Sequence, residues 1–196
     1  NYWQRNRAIA LSAIALTALG NFTFYGLLFA TYPPLRQPVF IVGISISLCA
    51  VTLLVLQLTA WGRATRWVLP LFFLVTAFGA YFMDTFKVVL NRTMLENALQ
   101  TDVQEARDLI TLKLAVYVLL IFALPSYLIW RDRALRAKVP WTLLLRDKGI
   151  GTVVCALLVF GPLLLSEGAF QAYFREQKIV RYFNPIAPLT SVVKLA

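Results

Sequence analysis

The sequence predicts an all-α membrane protein, a bundle of five transmembrane helices with amphipathic helices on the outer side of the bilayer. Hydrophobic residues make up 60% of the 196-residue chain and charged residues only 14%, whereas soluble domains carry about a quarter charged residues. Long stretches without Asp, Glu, Lys or Arg alternate with short charged segments. This alternation is typical of multi-pass membrane proteins and excludes a disordered chain.

Five uncharged stretches are long enough to cross the bilayer, since about 20 apolar helical residues span its roughly 30 Å hydrocarbon layer. The predicted spans are Ala8–Pro34, Gln37–Gly62, Trp67–Met83, Leu114–Trp130 and Gly149–Ser166. They define a membrane domain over residues 1–166, followed by a juxtamembrane segment over residues 167–196. The first stretch is too long for a signal peptide, and further spans follow it.

Basic residues favour one side of the predicted bilayer. With the N-terminus in the cytoplasm, segments 1–7, 63–66 and 131–148 hold ten basic and two acidic residues, and the other side holds nine basic and seven acidic residues. Because positive charge concentrates on the cytoplasmic side, we expect the N-terminus inside and the C-terminus outside. The net charge of +10 then reflects topology and lipid head groups, and no nucleic-acid partner is expected.

The outer segment 84–113 predicts an interfacial helix over about residues 93–112. Thr93 and Glu96 fit a capping box, in which both side chains bind free N–H groups at the start of a helix. At about 100° per residue, apolar side chains share one face and polar side chains form a stripe on the other. The stripe consists of Asn97, Thr101, Glu105 and Asp108. Such a helix lies at the membrane surface or packs on the spans.

The stripe is a candidate binding site for a phospholipid head group. Asn97, Thr101 and Glu105 are four residues apart and form a line of about 12 Å. Asn and Thr side chains donate hydrogen bonds to a phosphate, and a carboxylate attracts an ammonium group. A solvated polar helix face explains the same pattern, and the residues alone do not decide between the two.

Polar side chains inside the spans are expected to bond across helices, which is ordinary packing; the alternative is that they line a lipid-facing cavity. They are Asn21 and Thr23 in the first span and Ser45 and Ser47 in the second. Asp84, at the outer end of the third span, is predicted to be a carboxylate at head-group level rather than a proton relay.

Residues 167–196 combine aromatic and basic side chains, which favours the head-group layer. We expect a linker that leads to a further domain, or else a tail resting on the membrane. The chain has no His, and its cysteines, Cys49 and Cys155, lie inside predicted spans, where small buried thiols are ordinary. No catalytic residue, metal site or phosphate-binding glycine loop is predicted within these 196 residues.

Three stretches resemble the lipid A phosphoethanolamine transferases, especially their mobile colistin-resistance branch. They are TMLENALQTDVQEARDLI (Thr93–Ile110), RYFNPIAPLTSVVKLA (Arg181–Ala196) and YFMDTFKVVLNRTML (Tyr81–Leu95). The resemblance implies a five-helix domain in the bacterial inner membrane, followed by a periplasmic, sulfatase-like domain with a Thr nucleophile and zinc. It also implies transfer of phosphoethanolamine from phosphatidylethanolamine to a lipid A phosphate, which gives polymyxin resistance.

By the same resemblance, Asn97, Thr101 and Glu105 match the family's Asn-x3-Thr-x3-Glu line of substrate residues on the membrane side. The implied partners are phosphatidylethanolamine, lipid A, other membrane lipids and a following periplasmic domain, which would hold the zinc. Two alternatives stay open: a related transferase acting on a core sugar or a periplasmic glucan, and a non-enzymatic small transporter or partner protein. Spans without charged residues argue against a transporter.

Overall fold

The computed structural model describes residues 2–86, 111–136, 139–165 and 183–184, and the secondary structure in these ranges is helical. The first four helices are α1 (Tyr2–Leu19), α2 (Phe22–Thr31), α3 (Pro38–Thr59) and α4 (Thr65–Phe86). A continuous helical run contains α5 (Leu112–Tyr117), a π-helical turn (Val118–Ala123) and α6 (Leu124–Arg131). Helix α7 covers Trp141–Leu165, and 3₁₀ turns lie at Gly62–Ala64 and Arg133–Arg136.

Among the described residues, three helices are long and apolar enough to cross a membrane: Pro38–Thr59, Gly62–Phe86 and Leu112–Arg131. Helices α1 and α2, bent by 61° at their junction, make a fourth if the pair is one broken span. The predicted first span, Ala8–Pro34, is therefore not one straight helix. Helix α7 contains the predicted last span up to Leu165 but is not among the helices that meet this test, so the total of five stays a prediction.

Proline and glycine positions explain part of the local geometry. Pro38 lies in the first turn of α3, where a helix does not need its N–H. Pro125 is the second residue after the π-helical turn ends at Ala123, and because its nitrogen cannot donate to the preceding turn, the helix widens there. Gly62 has a φ of 47°, which glycine adopts without strain, and it turns the chain from α3 into α4.

The order of helices in the bundle follows from their contacts. Helix α7 packs on α3, α3 on α1, α1 on α4, and α4 on the run from α5 to α6. The main apolar core joins α1, α3, α4 and that run, and it includes Leu16, Leu56 and Phe73, each at most 1% exposed. A second core joins α2 and α3 with Phe183.

Of the two α3 serines expected to bond across helices, Ser47 does so and Ser45 does not. Ser47 donates a hydrogen bond to the Val159 carbonyl of α7 (3.2 Å), whereas Ser45 donates to a carbonyl one turn earlier in α3 (2.7 Å). Cys49 on α3 and Cys155 on α7 are both free thiols. The α3–α7 contact thus combines a polar bond with apolar packing.

All five tryptophans lie at one end of the bundle, called the tryptophan end below. They are Trp3, Trp61, Trp67, Trp130 and Trp141. The rings of Trp67 and Trp130 meet edge to face with 4.5 Å between centroids, and the Arg66 guanidinium lies over both. Tryptophan and basic side chains concentrate at membrane–water interfaces, so this end fits the predicted cytoplasmic face.

Lys148 is buried at the tryptophan end. Its ammonium group donates hydrogen bonds to the carbonyls of Gln57 and Ala60 at the end of α3, the latter at 2.8 Å. Burial, together with the charge of Arg5, lowers the pKa of Lys148 to about 8, and Asp147 acts in the opposite direction. The bonds tie α7 to α3 because the last carbonyls of a helix lack helical donors.

Candidate functional site

The first span breaks at Gly20 and Asn21, near the end of the bundle opposite the tryptophans. The side-chain amide of Asn21 donates hydrogen bonds to the carbonyls of Leu16 (3.1 Å) and Thr17 (3.0 Å) in the last turn of α1. Asparagine competes for backbone groups in this way and therefore favours helix ends over helix interiors. The chain resumes as α2 at Phe22, at 61° to α1.

Asp84 connects three helices at this end of the bundle, named here the Asp84 end. Its Oδ1 accepts hydrogen bonds from the N–H (3.0 Å) and the hydroxyl group of Thr23. Its Oδ2 accepts one from the hydroxyl of Tyr117 (2.7 Å). Because Thr23 lies in the first turn of α2, the carboxylate also faces the positive end of that helix dipole. Asp84 thus joins α4 to α2 and α5 by specific bonds.

Thr111 fixes the start of α5 to α4. Its backbone is extended (φ −104°, ψ 160°), and its hydroxyl accepts a hydrogen bond from the N–H of Leu114, which caps α5. The same hydroxyl lies 3.0 Å from the hydroxyl of Tyr81 on α4. The chain therefore leaves the Asp84 end after Phe86 and returns to it at Thr111.

Phe183 and Asn184, from the predicted juxtamembrane segment, also lie at the Asp84 end. The ring of Phe183 meets that of Phe24 edge to face, with 5.4 Å between centroids. The backbone of Asn184 pairs with the side chain of Asn21. The helix break, the last turn of α4, the start of α5 and part of the tail therefore meet in one place.

The predicted polar stripe lies on the segment between the two anchors at Phe86 and Thr111. Its members lie outside the described residues, so their arrangement stays a prediction. They are Asn97, Thr101, Glu105 and Asp108. Of the helix predicted over about 93–112, only Thr111 and Leu112 are described. Thr111 has an extended backbone and Leu112 is the first residue of α5, so the predicted helix does not run on into α5. The structure brings both ends of the stripe-bearing segment to the Asp84 end.

The sequence pattern does not single out several members of the Asp84 end. They are Tyr81, Thr111, Tyr117 and Asn184. It assigns Asn21 and Thr23 to packing, which is the default role of such residues. The signal that finds Tyr81 and Tyr117 is position: each lies near the outer end of a predicted span, and Thr111 comes three residues before the fourth span, so that a folded bundle gathers them at one level. Nothing in the local sequence marks Asn184.

Two further features define the chemistry available in the described residues. A cavity of about 390 Å³ opens between α1 and α6, with a lining that is almost entirely apolar, including Leu11, Leu19 and Leu124. This lining suits hydrocarbon, and Ser12 and Asp132 are the polar residues along its wall. Across the described ranges, no group of three His, Cys, Asp or Glu could hold a metal ion. The zinc implied by the resemblance therefore finds no ligand set among these residues.

Comparison with known proteins identifies the family. A family model described as phosphoethanolamine transferase EptA/EptB matches residues 48–196. The chain belongs to the EptA/EptB family. The resemblance in the three sequence stretches is thereby confirmed. This EptA/EptB chain is 33% identical to the phosphatidylethanolamine transferases Mcr-2 and Mcr-1 of Escherichia coli, over 190 and 192 residues respectively.

The EptA/EptB chain spans 35% of the length of Mcr-1 and of Mcr-2, and the matches cover 96% of the chain itself. Its fold is similar to the solved structure of an integral membrane protein, the lipooligosaccharide phosphoethanolamine transferase A (EptA) from Neisseria meningitidis. The TM-score is 0.84 at 20% sequence identity, and the match covers 96% of this chain and 35% of that protein. At this identity the likeness concerns the fold alone, a helical membrane domain.

Proposed function

We propose that this chain is the membrane domain of an enzyme that moves phosphoethanolamine from phosphatidylethanolamine to a lipid A phosphate and so gives polymyxin resistance. The observation that carries the proposal is the 33% identity to Mcr-1 and Mcr-2 over 96% of the chain. The chain anchors a following periplasmic domain in the inner membrane and helps to bind the lipid. Its N-terminus lies in the cytoplasm, and its C-terminus leads into the periplasm.

The geometry of the Asp84 end supports a binding role for segment 87–110. The segment begins after Phe86 on α4 and ends at Thr111 ahead of α5. The bond from Tyr117 to Asp84 and the contact of Tyr81 with Thr111 join these two helices. A segment with both ends fixed loses less conformational entropy when it binds a ligand than a free tail does.

The stripe on that segment supplies both kinds of partner that a zwitterionic head group needs. Asn97 and Thr101 donate hydrogen bonds to the phosphate of phosphatidylethanolamine. Glu105, with Asp108 beside it on the stripe, binds the ammonium group through charge-assisted hydrogen bonds. In the proposal, residues of this chain bind and orient the lipid. The following domain would supply the nucleophile, which bonds to the phosphorus as the diacylglycerol oxygen leaves, and a zinc ion held there would supply positive charge to that nucleophile and to the phosphate.

The proposed reaction is tested by mass spectrometry of lipid A from bacteria that express the longer protein containing this chain. The expected result is a phosphoethanolamine adduct on a lipid A phosphate, together with growth at higher polymyxin concentrations. An adduct found only on a core sugar or a periplasmic glucan would contradict the lipid A assignment. Absence of phosphoethanolamine from all three acceptors, at normal membrane expression, would overturn the transferase function.

The proposed site is tested by removing single members of the stripe. Glu105→Ala should lower the amount of adduct about tenfold or more, because the ammonium group loses its charged partner. Thr101→Val, which removes a hydroxyl at similar volume, should act in the same direction. Asp102→Ala is the matched control, since it removes a carboxylate about 140° from Asn97 on the same predicted helix. Equal adduct in Glu105→Ala and Asp102→Ala at equal expression would contradict the head-group role.

A further inference from the structure

The side chain of Asn21 holds the backbone of Asn184 by a reciprocal pair of hydrogen bonds. The N–H of Asn184 donates to Oδ1 of Asn21 (2.6 Å), and Nδ2 of Asn21 donates to the carbonyl of Asn184 (3.0 Å). In addition, Nδ2 of Asn184 donates to the carbonyl of Gly20 (3.1 Å). Both asparagines are buried, at 2% and 0% exposed, and they are 163 positions apart in the chain.

The side chain of Asn184 also packs against α4 at Gly79, a position that has no side chain. An ideal Cβ placed on Gly79 would overlap Oδ1 of Asn184 and lie 2.8 Å from its Nδ2, so only glycine leaves room for this amide. Next to it, Phe183 is 1% exposed and packs on Phe24 of α2. The two residues therefore fill the space between the break of the first span and α4.

Hydrogen bonds and the packing of Phe183 both favour the buried position of Asn184. If Asn184 left, the Oδ1 of Asn21 and the carbonyl of Gly20 would lose their donors in a buried setting. A buried polar group without a partner is unfavourable, and the exposed Phe183 ring adds a hydrophobic cost. All of these contacts belong to Phe183 and Asn184, which are adjacent in the chain.

We propose that Asn21 and Asn184 form a latch that fixes where the chain after residue 184 leaves the membrane bundle. The inference rests on the proposed function in one respect: the latch holds the following catalytic domain in register with the lipid-binding segment 87–110. Asn21 suits this task because it also terminates α1, two residues before the bond from Thr23 to Asp84. Asn21 and Asn184 are positioning residues, and neither touches the lipid in this scheme.

The latch is tested first by trypsin cleavage after Arg181 in the purified full-length protein in lipid nanodiscs. Cleavage there requires residues 182–184 to enter the protease as an extended strand, so Phe183 and Asn184 must leave their buried positions. Cleavage after Lys178 in the same digest is the internal reference, because it does not involve these two residues. The ratio of the two cleavage rates reports opening of the latch without any need for enzymatic activity.

Asn21→Ala removes both hydrogen bonds to the Asn184 backbone. Gly79→Ala displaces the side chain of Asn184 without substituting either asparagine. Each should raise the cleavage ratio about tenfold or more. Gly26→Ala is the matched control, because a Cβ at this α2 position meets nothing within 4 Å. The double variant Gly79→Ala/Asn184→Ala shortens the displaced side chain and should bring the ratio back toward that of the unaltered protein.

Transfer kinetics then separate positioning from folding. In the latch variants kcat should fall about tenfold while KM for phosphatidylethanolamine changes less than twofold, since the lipid site itself is intact. Cleavage ratios equal to that of Gly26→Ala would overturn the latch. Raised ratios with unchanged kcat would overturn its positioning role. If the unaltered protein transfers no phosphoethanolamine, the proposed function fails, and the cleavage ratios still decide whether the latch exists.

Discussion

At the scale of single residues, Asp84 makes most of the side-chain hydrogen bonds between the described helices at its end of the bundle. It accepts hydrogen bonds from Thr23 and Tyr117, which are 61 and 33 positions away in sequence. Its position at the end of a span is predictable, because charged residues bound the apolar stretches. Its partners are not, because nothing local in the sequence indicates which helices meet.

Asp84→Ala leaves the Thr23 N–H, the Thr23 hydroxyl and the Tyr117 hydroxyl without their acceptor. We expect a loss of about 3 kcal/mol in the free energy of unfolding, since bonds to a carboxylate are stronger than neutral ones. Thermal unfolding in detergent micelles measures it as a fall in Tm of several degrees. Tyr117→Phe should have a smaller effect, and Tyr127→Phe, at a position that is 62% exposed, none. A Tm unchanged in Asp84→Ala would show that the carboxylate does not hold the helices together.

The lowered pKa of Lys148 makes the free energy of unfolding depend on pH, and it fixes the direction of that dependence. Its pKa of about 8 in the folded protein lies below its ordinary value of 10.5, so the unfolded chain binds more protons between these two pH values. The contribution of Lys148 to stability therefore rises as the pH rises from about 8 to about 10.5 and is lowest below pH 8. The neutral amine still donates to the carbonyls of Gln57 and Ala60.

The measurement for Lys148 is the difference in Tm between the unaltered protein and Lys148→Met, followed from pH 7 to pH 10.5. We expect the Tm of the unaltered protein to rise relative to that of Lys148→Met across this pH range. The other titrating groups are present in both proteins, so their contributions cancel in the difference. A difference independent of pH would mean that Lys148 titrates near its ordinary value despite its burial.

At the scale of secondary-structure elements, the first span shows where hydropathy alone is insufficient. The stretch Ala8–Pro34 has no charged residue and is predicted as one helix, yet it bends by 61° after Leu19. The cause is a pair of adjacent residues. Gly20 is a poor helix former, and the side-chain amide of Asn21 donates hydrogen bonds to two carbonyls in the last turn of α1. Averaging over a window of about 20 residues hides a two-residue signal of this kind.

Gly20→Ala should destabilise the break. A Cβ at this position overlaps Cγ2 of Thr76 and lies 2.9 Å from the Leu16 carbonyl, and overpacking of this kind costs about 1–3 kcal/mol. Adding Thr76→Ser removes Cγ2 and should restore part of the lost Tm, with Gly26→Ala as a neutral control. If the double variant is no more stable than Gly20→Ala alone, the strain arises somewhere other than the contact with α4.

At the scale of the whole molecule, the membrane class, the family and most helix positions follow from the sequence. The order of helices does not, because it depends on contacts such as Ser47 with Val159 and Lys148 with the end of α3, which no periodicity encodes. The candidate site, too, is predictable from the sequence only in part. The stripe of Asn97, Thr101 and Glu105 is a prediction from helical spacing and lies outside the described residues. The meeting of its flanking residues, Phe86 and Thr111, at the Asp84 end depends on bonds between residues distant in sequence.

The predicted orientation is tested by labelling single cysteines with a membrane-impermeant maleimide in spheroplasts, in a background that lacks Cys49 and Cys155. Leu35→Cys, at a position between α2 and α3 that is 99% exposed, should react in intact cells. Arg133→Cys, exposed near the tryptophan end, should react only after the cells are permeabilised. The positive-inside pattern is the physical reason, and the reverse labelling would refute it.

The bend between α1 and α2 has a consequence for how the chain occupies the bilayer. Helix α1 has 18 residues, but Arg5 and Arg7 lie in its first two turns, and its uncharged part, residues 8–19, rises only about 18 Å, less than the roughly 30 Å of the hydrocarbon layer. If the pair is one broken span, the ten residues of α2 therefore supply the rest of the crossing. Because α2 leaves the axis of α1 at 61°, the bond from Thr23 to Asp84 holds the outer part of this bent crossing against α4.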